Sequence, residues 1–128
     1  MKKCVTLLLF ILISTSLSAS TFYCDPVNGS NSNPGTIDQP FDSLSSIIEN
    51  NMVNSFGNNP LPYDAAINTL VEFNSVAPIS GGDTLILMNG LHGFVFARNY
   101  VNKEMLYIIG ADDANPIIES IQIQGGAR

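Results

Sequence analysis

Asp83-Thr84-Leu85-Ile86-Leu87-Met88-Asn89-Gly90 has two partial echoes downstream, Glu104-Met105-Leu106-Tyr107-Ile108-Ile109-Gly110 and Glu119-Ser120-Ile121-Gln122-Ile123-Gln124-Gly125. In each, an acid is followed two and four residues later by Leu or Ile, and Asn or Gly stands six residues on. Period-two spacing puts the two aliphatics on one face of a strand. The three segments therefore predict a mainly β chain. The step from Asp83 to Glu104 is longer than that from Glu104 to Glu119, so the repeat is uneven. Short strands that recur with their aliphatics inward fit a β-solenoid, each turn stacked on the last. Asn89-Gly90 also suits the type I′ turn of an antiparallel hairpin. The pattern alone leaves both readings open.

Upstream of Asp83 the chain changes character. Thr21 to Cys24 is a short aromatic strand, closed by Asp25-Pro26 and followed by turn formers from Val27 to Thr36. Gly supplies positive φ there, Pro fixes φ, and Asn and Ser bond to nearby backbone. Asp25, Asn28, Asn31 and Asn33 offer the oxygens that calcium takes, but their spacing is not that of an EF-hand and one of the four is charged. They are read as turn residues. Asn28-Gly29-Ser30 is an N-glycosylation sequon. Asp42 or Ser43 caps a helix carrying Leu44, Ile47 and Ile48 and running to about Met52. Gly57, Asn58, Asn59, Pro60 and Pro62 interrupt, and Asp64 caps a second short helix with Ile67, Leu70 and Val71 on one face.

Residues 1–20 read as an address. Lys2 and Lys3 precede an apolar run from Val5 to Ile13, and small residues follow. The run is too short to span a bilayer, which takes about 20 residues, so it is a secretory signal peptide. Ser18-Ala19-Ser20 fits the small-x-small cleavage pattern best and Ser16-Leu17-Ser18 second. Cleavage leaves three basic residues (Arg98, Lys103, Arg128) against eleven acidic ones, a net of −8, and Cys24 as the one thiol. Such a chain forms no internal disulfide, and Cys24, within Phe22-Tyr23-Cys24, is read as buried. Its acidity excludes an electrostatic nucleic-acid binder. Two Cys and one His in the whole sequence cannot close a structural zinc site. Asn outnumbers any charged residue type, so the polar surface is mainly amide and hydroxyl.

Phe22-Tyr23-Cys24-Asp25-Pro26, the run Asn28-Gly29-Ser30-Asn31-Ser32-Asn33-Pro34-Gly35-Thr36, and Gln39-Pro40-Phe41 with Leu44 resemble the mature N-terminus of secreted right-handed parallel β-helix proteins of the pectate-lyase-like superfamily. Gly81-Gly82-Asp83-Thr84-Leu85-Ile86-Leu87, then Gly90-Leu91-His92, resembles the start of their first coil. The likeness covers residues 22–125. It implies a right-handed parallel β-helix (solenoid) start at 83–128, under an N-terminal strand, loop and helical cap at 21–82 that shields the edge of the stack. Asp83 is then a turn and capping residue, and His92, where the family often has Tyr, shapes the turn after the first strand. Cys24 departs from the family's usual aliphatic residue, and residues 54–63 form an extra loop. The stretch from Thr84 to Arg128 suffices for about two coils, so the expectation is a truncated, N-terminal part of a longer protein.

The resemblance implies a polysaccharide partner, through either a lyase or hydrolase or a non-catalytic adhesin or glycan-binding solenoid. β-Elimination of uronates needs a Lys or Arg base beside carboxylates that hold calcium. Here Arg98, Lys103, Asp112 and Asp113 are read as solvated turn charges, so no catalytic, cofactor-binding or metal residue is assigned. Calcium belongs, on the resemblance, to the whole protein rather than to this stretch. The mature chain has no membrane span and is expected outside the cytoplasm, secreted, periplasmic or on the cell surface.

Overall fold

A computed structural model of the chain describes residues 18–56, 63–64, 69–70, 72–98, 102 and 104–124. In chain order the elements are β1 (Thr21–Cys24), α1 (Leu44–Glu49), β2 (Ser55–Phe56), β3 (Tyr63–Asp64), β4 (Thr69–Leu70), β5 (Glu72–Phe73), β6 (Thr84–Leu87), β7 (Gly90–Arg98), β8 (Tyr107–Gly110) and β9 (Pro116–Gln124). The chain is mainly strand, with parallel sheets and no closed barrel among the described residues.

Two parallel sheets organise it. One has the order β1-β6-β8, with Leu85 between Phe22 and Ile108. The other pairs β7 with β9, Gly90 opposite Pro116. The chain thus steps from one sheet to the other and back. It returns to the first sheet between Thr84 and its partner Tyr107, and to the second between Gly90 and Pro116, two steps of similar length. The backbone bonds follow the same stacking: Met88 N–H donates to Cys24 O, and Ala111 N–H donates to Leu87 O, each at 2.9 Å. At the corner, Asn89 Oδ1 accepts from Asn115 N–H at 2.6 Å.

The antiparallel hairpin at Asn89-Gly90 is therefore not formed. A type I′ turn needs positive φ at both central residues, and of the two only Gly90 has it, at 123°. The chain turns a corner there instead of reversing. The third echo, from Glu119, also stands elsewhere than the repeat suggests. It lies on β9, where Ile121 faces Val95 and Ile123 faces Ala97. Alternation is the same on both sheets, so a period-two pattern cannot tell one sheet from the other.

Leu85 and Leu87 turn inward and alternate with Thr84 and Ile86, which are only partly buried. They share a core with Cys24, Phe41, Leu44, Ile47, Val53, Ile79 and Val95. Each large aliphatic or aromatic side chain of this group contributes about 1.5–3 kcal/mol on leaving water. The later strands β8 and β9 are more open: Ile108, Ile121 and Ile123 are 43%, 59% and 61% exposed. With Leu44, Val95 and Ile118 they line an apolar hollow of about 480 Å³.

The first expected helix forms but is shorter. Ser43 is its N-cap, accepting from Ser46 N–H at 3.2 Å. It ends at Glu49 rather than near Met52, because Asn51 enters the left-handed region (φ 52°). Asn51 N–H then donates to Ile48 O and Met52 N–H to Ile47 O. This is a Schellman stop, with Asn in the place Gly usually fills. α1 packs against β7. The second helix, expected from Asp64, is replaced by strands: β3 pairs antiparallel with β4, and β2 with β5. Ile67 and Val71 lie outside the described residues. In sequence, Ile67, Thr69 and Val71 are β-branched and recur with period two, which suits a pleated strand better than a helix. Residues 21–82, expected to carry two helices, thus contain one among the described residues.

Candidate functional site

Strand β7 shows one row of side chains to the core and another to the outside. Val95 is buried and Ala97 half-buried, while Phe94 and Phe96 are 43% and 39% exposed. The two rings stand side by side with centroids 6.3 Å apart and planes within 13° of parallel. Across the ladder, Ser120 faces Phe94 and Gln122 faces Phe96, both exposed. Leu91 and its partner Ile117, each about half exposed, extend the apolar part of this face. A bulge fixes the register: His92 on β7 and Glu119 on β9 are passed over in the pairing, around Gly93 with φ 78°.

Such a face offers two flat apolar rings bordered by a hydroxyl and an amide. A sugar ring presents the complementary mixture, C–H groups on its flat face and hydroxyls at its rim. Aromatic faces carry negative quadrupole charge and attract polarised C–H groups. Ser and Gln both donate and accept hydrogen bonds. The signal was present in Phe94-Val95-Phe96-Ala97, whose alternation marks a strand with aromatics on one face. Aliphatic spacing alone does not find it.

No protein-family model, curated protein or solved structure matches this chain.

The polar residues singled out in the sequence take separate places. Asp25 Oδ1 accepts from the N–H groups of Val27 (2.9 Å) and Asn28 (3.1 Å), and Oδ2 accepts from Asn28 Nδ2 (3.0 Å). Partial burial works against its ionisation, but these bonds outweigh that and hold the carboxyl below its ordinary range. Asn31 Nδ2 donates to Ser46 Oγ and Asn33 Nδ2 to Pro40 O. Each is thus bonded within the loop and cap. Among the described residues no group of three or more His, Cys, Asp or Glu is placed to hold a metal. Asp112 and Asp113 are exposed in the turn before β9. Lys103, and the side chain of Arg98, lie outside the description. No described helix is long and apolar enough to cross a membrane.

His92 is fully buried. Its Nε2 is 3.0 Å from Met88 O, and Leu44 N–H donates to Nδ1 at 3.3 Å. A carbonyl needs a donor and an N–H needs an acceptor, so the ring carries its proton on Nε2. His92 thus ties the start of α1 to the corner after β6.

Cys24 is fully buried. Desolvation, with a smaller push from the Asp42 charge, raises its thiol from an ordinary value of 9.0 to about 12. The fold therefore holds the thiol proton more tightly than the unfolded chain does. Stability from this group is complete below pH 9 and is lost as pH rises from about 9 toward 12. In the native protein at pH 8, Cys24 is expected to resist thiol reagents and to react once denaturant is added. Reaction at equal rates in both states would contradict its burial.

Proposed function

We propose that the chain forms the cap and first coils of a secreted, right-handed parallel β-helix whose Phe94–Phe96 face binds polysaccharide. The observation that carries the binding reading is the pair of exposed, nearly parallel rings with Ser120 and Gln122 opposite them. The helix reading is supported by the parallel ladders, the similar return steps from Thr84 to Tyr107 and from Gly90 to Pro116, and the Asn89–Asn115 bond between successive corners. Its right hand rests on the strong chirality rule for parallel crossovers. The export reading rests on the leader-like residues 1–20. A net charge of −8 after removal of such a leader opposes an unassisted polyanion, so neutral polysaccharides are the favoured class.

Affinity electrophoresis through gels containing neutral or uronate polysaccharides tests this. Retardation by a neutral polymer is expected, and Phe94→Ala with Phe96→Ala should weaken it about five- to thirtyfold, given about 1–2 kcal/mol for two aromatic contacts. Both side chains are half exposed, so the double variant should keep its circular dichroism. Unchanged binding after the double substitution would refute the face. Ultraviolet-absorbing unsaturated ends on a uronate polymer would favour a lyase instead.

A further inference from the structure

The two cleavage patterns at the end of the leader differ by two residues, and the fold discriminates between them. Ser20 immediately precedes β1 and is bonded to the residues that open β6. Its N–H donates to Asp83 Oδ1 at 2.7 Å, and its carbonyl accepts from Thr84 N–H at 2.9 Å. Asp83 is 6% exposed, and its other oxygen accepts from Ser80 N–H at 2.8 Å. The carboxylate thus clamps the chain just before β1 to the turn just before β6. A chain beginning at Thr21 would lack the Ser20 carbonyl, leaving Thr84 N–H without its acceptor and removing a donor from a nearly buried carboxylate. Unpaired groups of that kind are costly.

A chain cut after Ser18 keeps both bonds. Its new terminus, Ala19, lies at a polar hollow of about 510 Å³ lined by Ser18, Ala19, Ser20, Asp83, Glu104 and Tyr107. The described charged side chains of that hollow are two acids, Asp83 and Glu104. Glu104 folds over the glycine turn, where a Cβ on Gly82 would come within 2.9 Å of its Oε2. Two carboxylates favour a positive group within a few ångströms.

We infer that the leader is removed between Ser18 and Ala19, and that the hollow at Asp83 and Glu104 receives the new α-ammonium group of Ala19. The step is a hydrolysis: the Ser18–Ala19 amide bond breaks, water gives its hydroxyl to the Ser18 carbonyl carbon and a proton to the Ala19 nitrogen, and the new Ser18 carboxyl loses its proton as the Ala19 amine takes one to become the ammonium. Ser16 and Ser18 are the small residues the peptidase reads. The inference rests on the export reading above and shortens the leader by two residues relative to the Ser18-Ala19-Ser20 pattern.

The test is to express the full chain with its own leader in an exporting bacterial host, collect the exported protein, and determine its intact mass and N-terminal sequence. A start at Ala19 is expected, and a start at Thr21 would overturn the inference. A chain still beginning at Met1 would overturn the export reading itself, so the two failures are distinguishable. Ser20→Phe puts a bulky residue into the alternative pattern alone; processing at Ala19 should persist, and its loss would also count against us. In the exported protein, Asp83→Asn should keep the Ala19 start and lower the melting temperature by about 5 °C or more. An unchanged melting temperature would remove Asp83 from the clamp.

Discussion

Gly29→Ala is expected to lower the melting temperature by more than about 10 °C, a loss of about 3 kcal/mol or more. Gly29 sits where the loop after β1 crosses its own return. Its N–H donates to Asp25 O at 2.8 Å, and Ser30 N–H donates to Pro40 O at 3.1 Å. A methyl group on Gly29 would run into the carbonyl oxygens of Phe41 and Asp25. Both are backbone atoms, which cannot swing aside as a side chain can. Phe41 O also accepts from Asp25 N–H at 2.9 Å, and Phe41 N–H donates to Tyr23 O at 2.8 Å. Relief of the clash therefore peels Phe41 from β1 and loosens the core it shares with Cys24. Thermal denaturation followed by circular dichroism reads the effect, and a shift below about 3 °C, well under the 4–8 °C that about 1 kcal/mol produces in a domain of this size, would show that the loop passes Gly29 with more room than described.

The second large effect separates strand β6 from strand β8. Leu85→Ala is expected to cost about 3–4 kcal/mol, because Leu85 is fully buried between neighbouring strands and the vacated space cannot collapse. Ile108, on β8, is its ladder partner and is 43% exposed. Ile108→Ala should cost about 1 kcal/mol. Urea denaturation of the two variants gives the comparison directly. Equal losses would mean that Ile108 is covered in the folded protein as well as Leu85 is.

The inward-facing arrangement of Leu85 and Leu87 was legible because alternation is a local property, written in four consecutive residues. The start of α1 was legible for the same reason, since Ser43 reaches only three residues ahead to Ser46. What depended on distant partners was not. Glu119 to Gln124 alternates like the earlier echoes, yet stands on the other sheet, because the corner after Gly110 redirects it. The strands that replace the second helix hold together by cross-strand pairing, such as Tyr63 with Leu70, and an amphipathic helical reading competes closely in so short a stretch. Cys24 was expected to be buried from its aromatic neighbours, and it is. Phe94 and Phe96 escaped notice because aliphatic pairs served as the strand signal, while aromatics at the same spacing mark the outward row.

The pairing of Thr21 with Thr84 bears on the order in which the molecule can be assembled. A ribosome makes the first strand long before its neighbour in the ladder, and the whole cap from Asp25 to Asp83 must be synthesised before Thr84 exists to meet it. Until then Phe22, Tyr23 and Cys24 have no sheet to join, and closing so long a span slows folding. The earliest piece of the sheet must thus wait for about sixty further residues before its ladder neighbour exists, and the nascent protein carries that sticky tetrapeptide without its sheet partner until then.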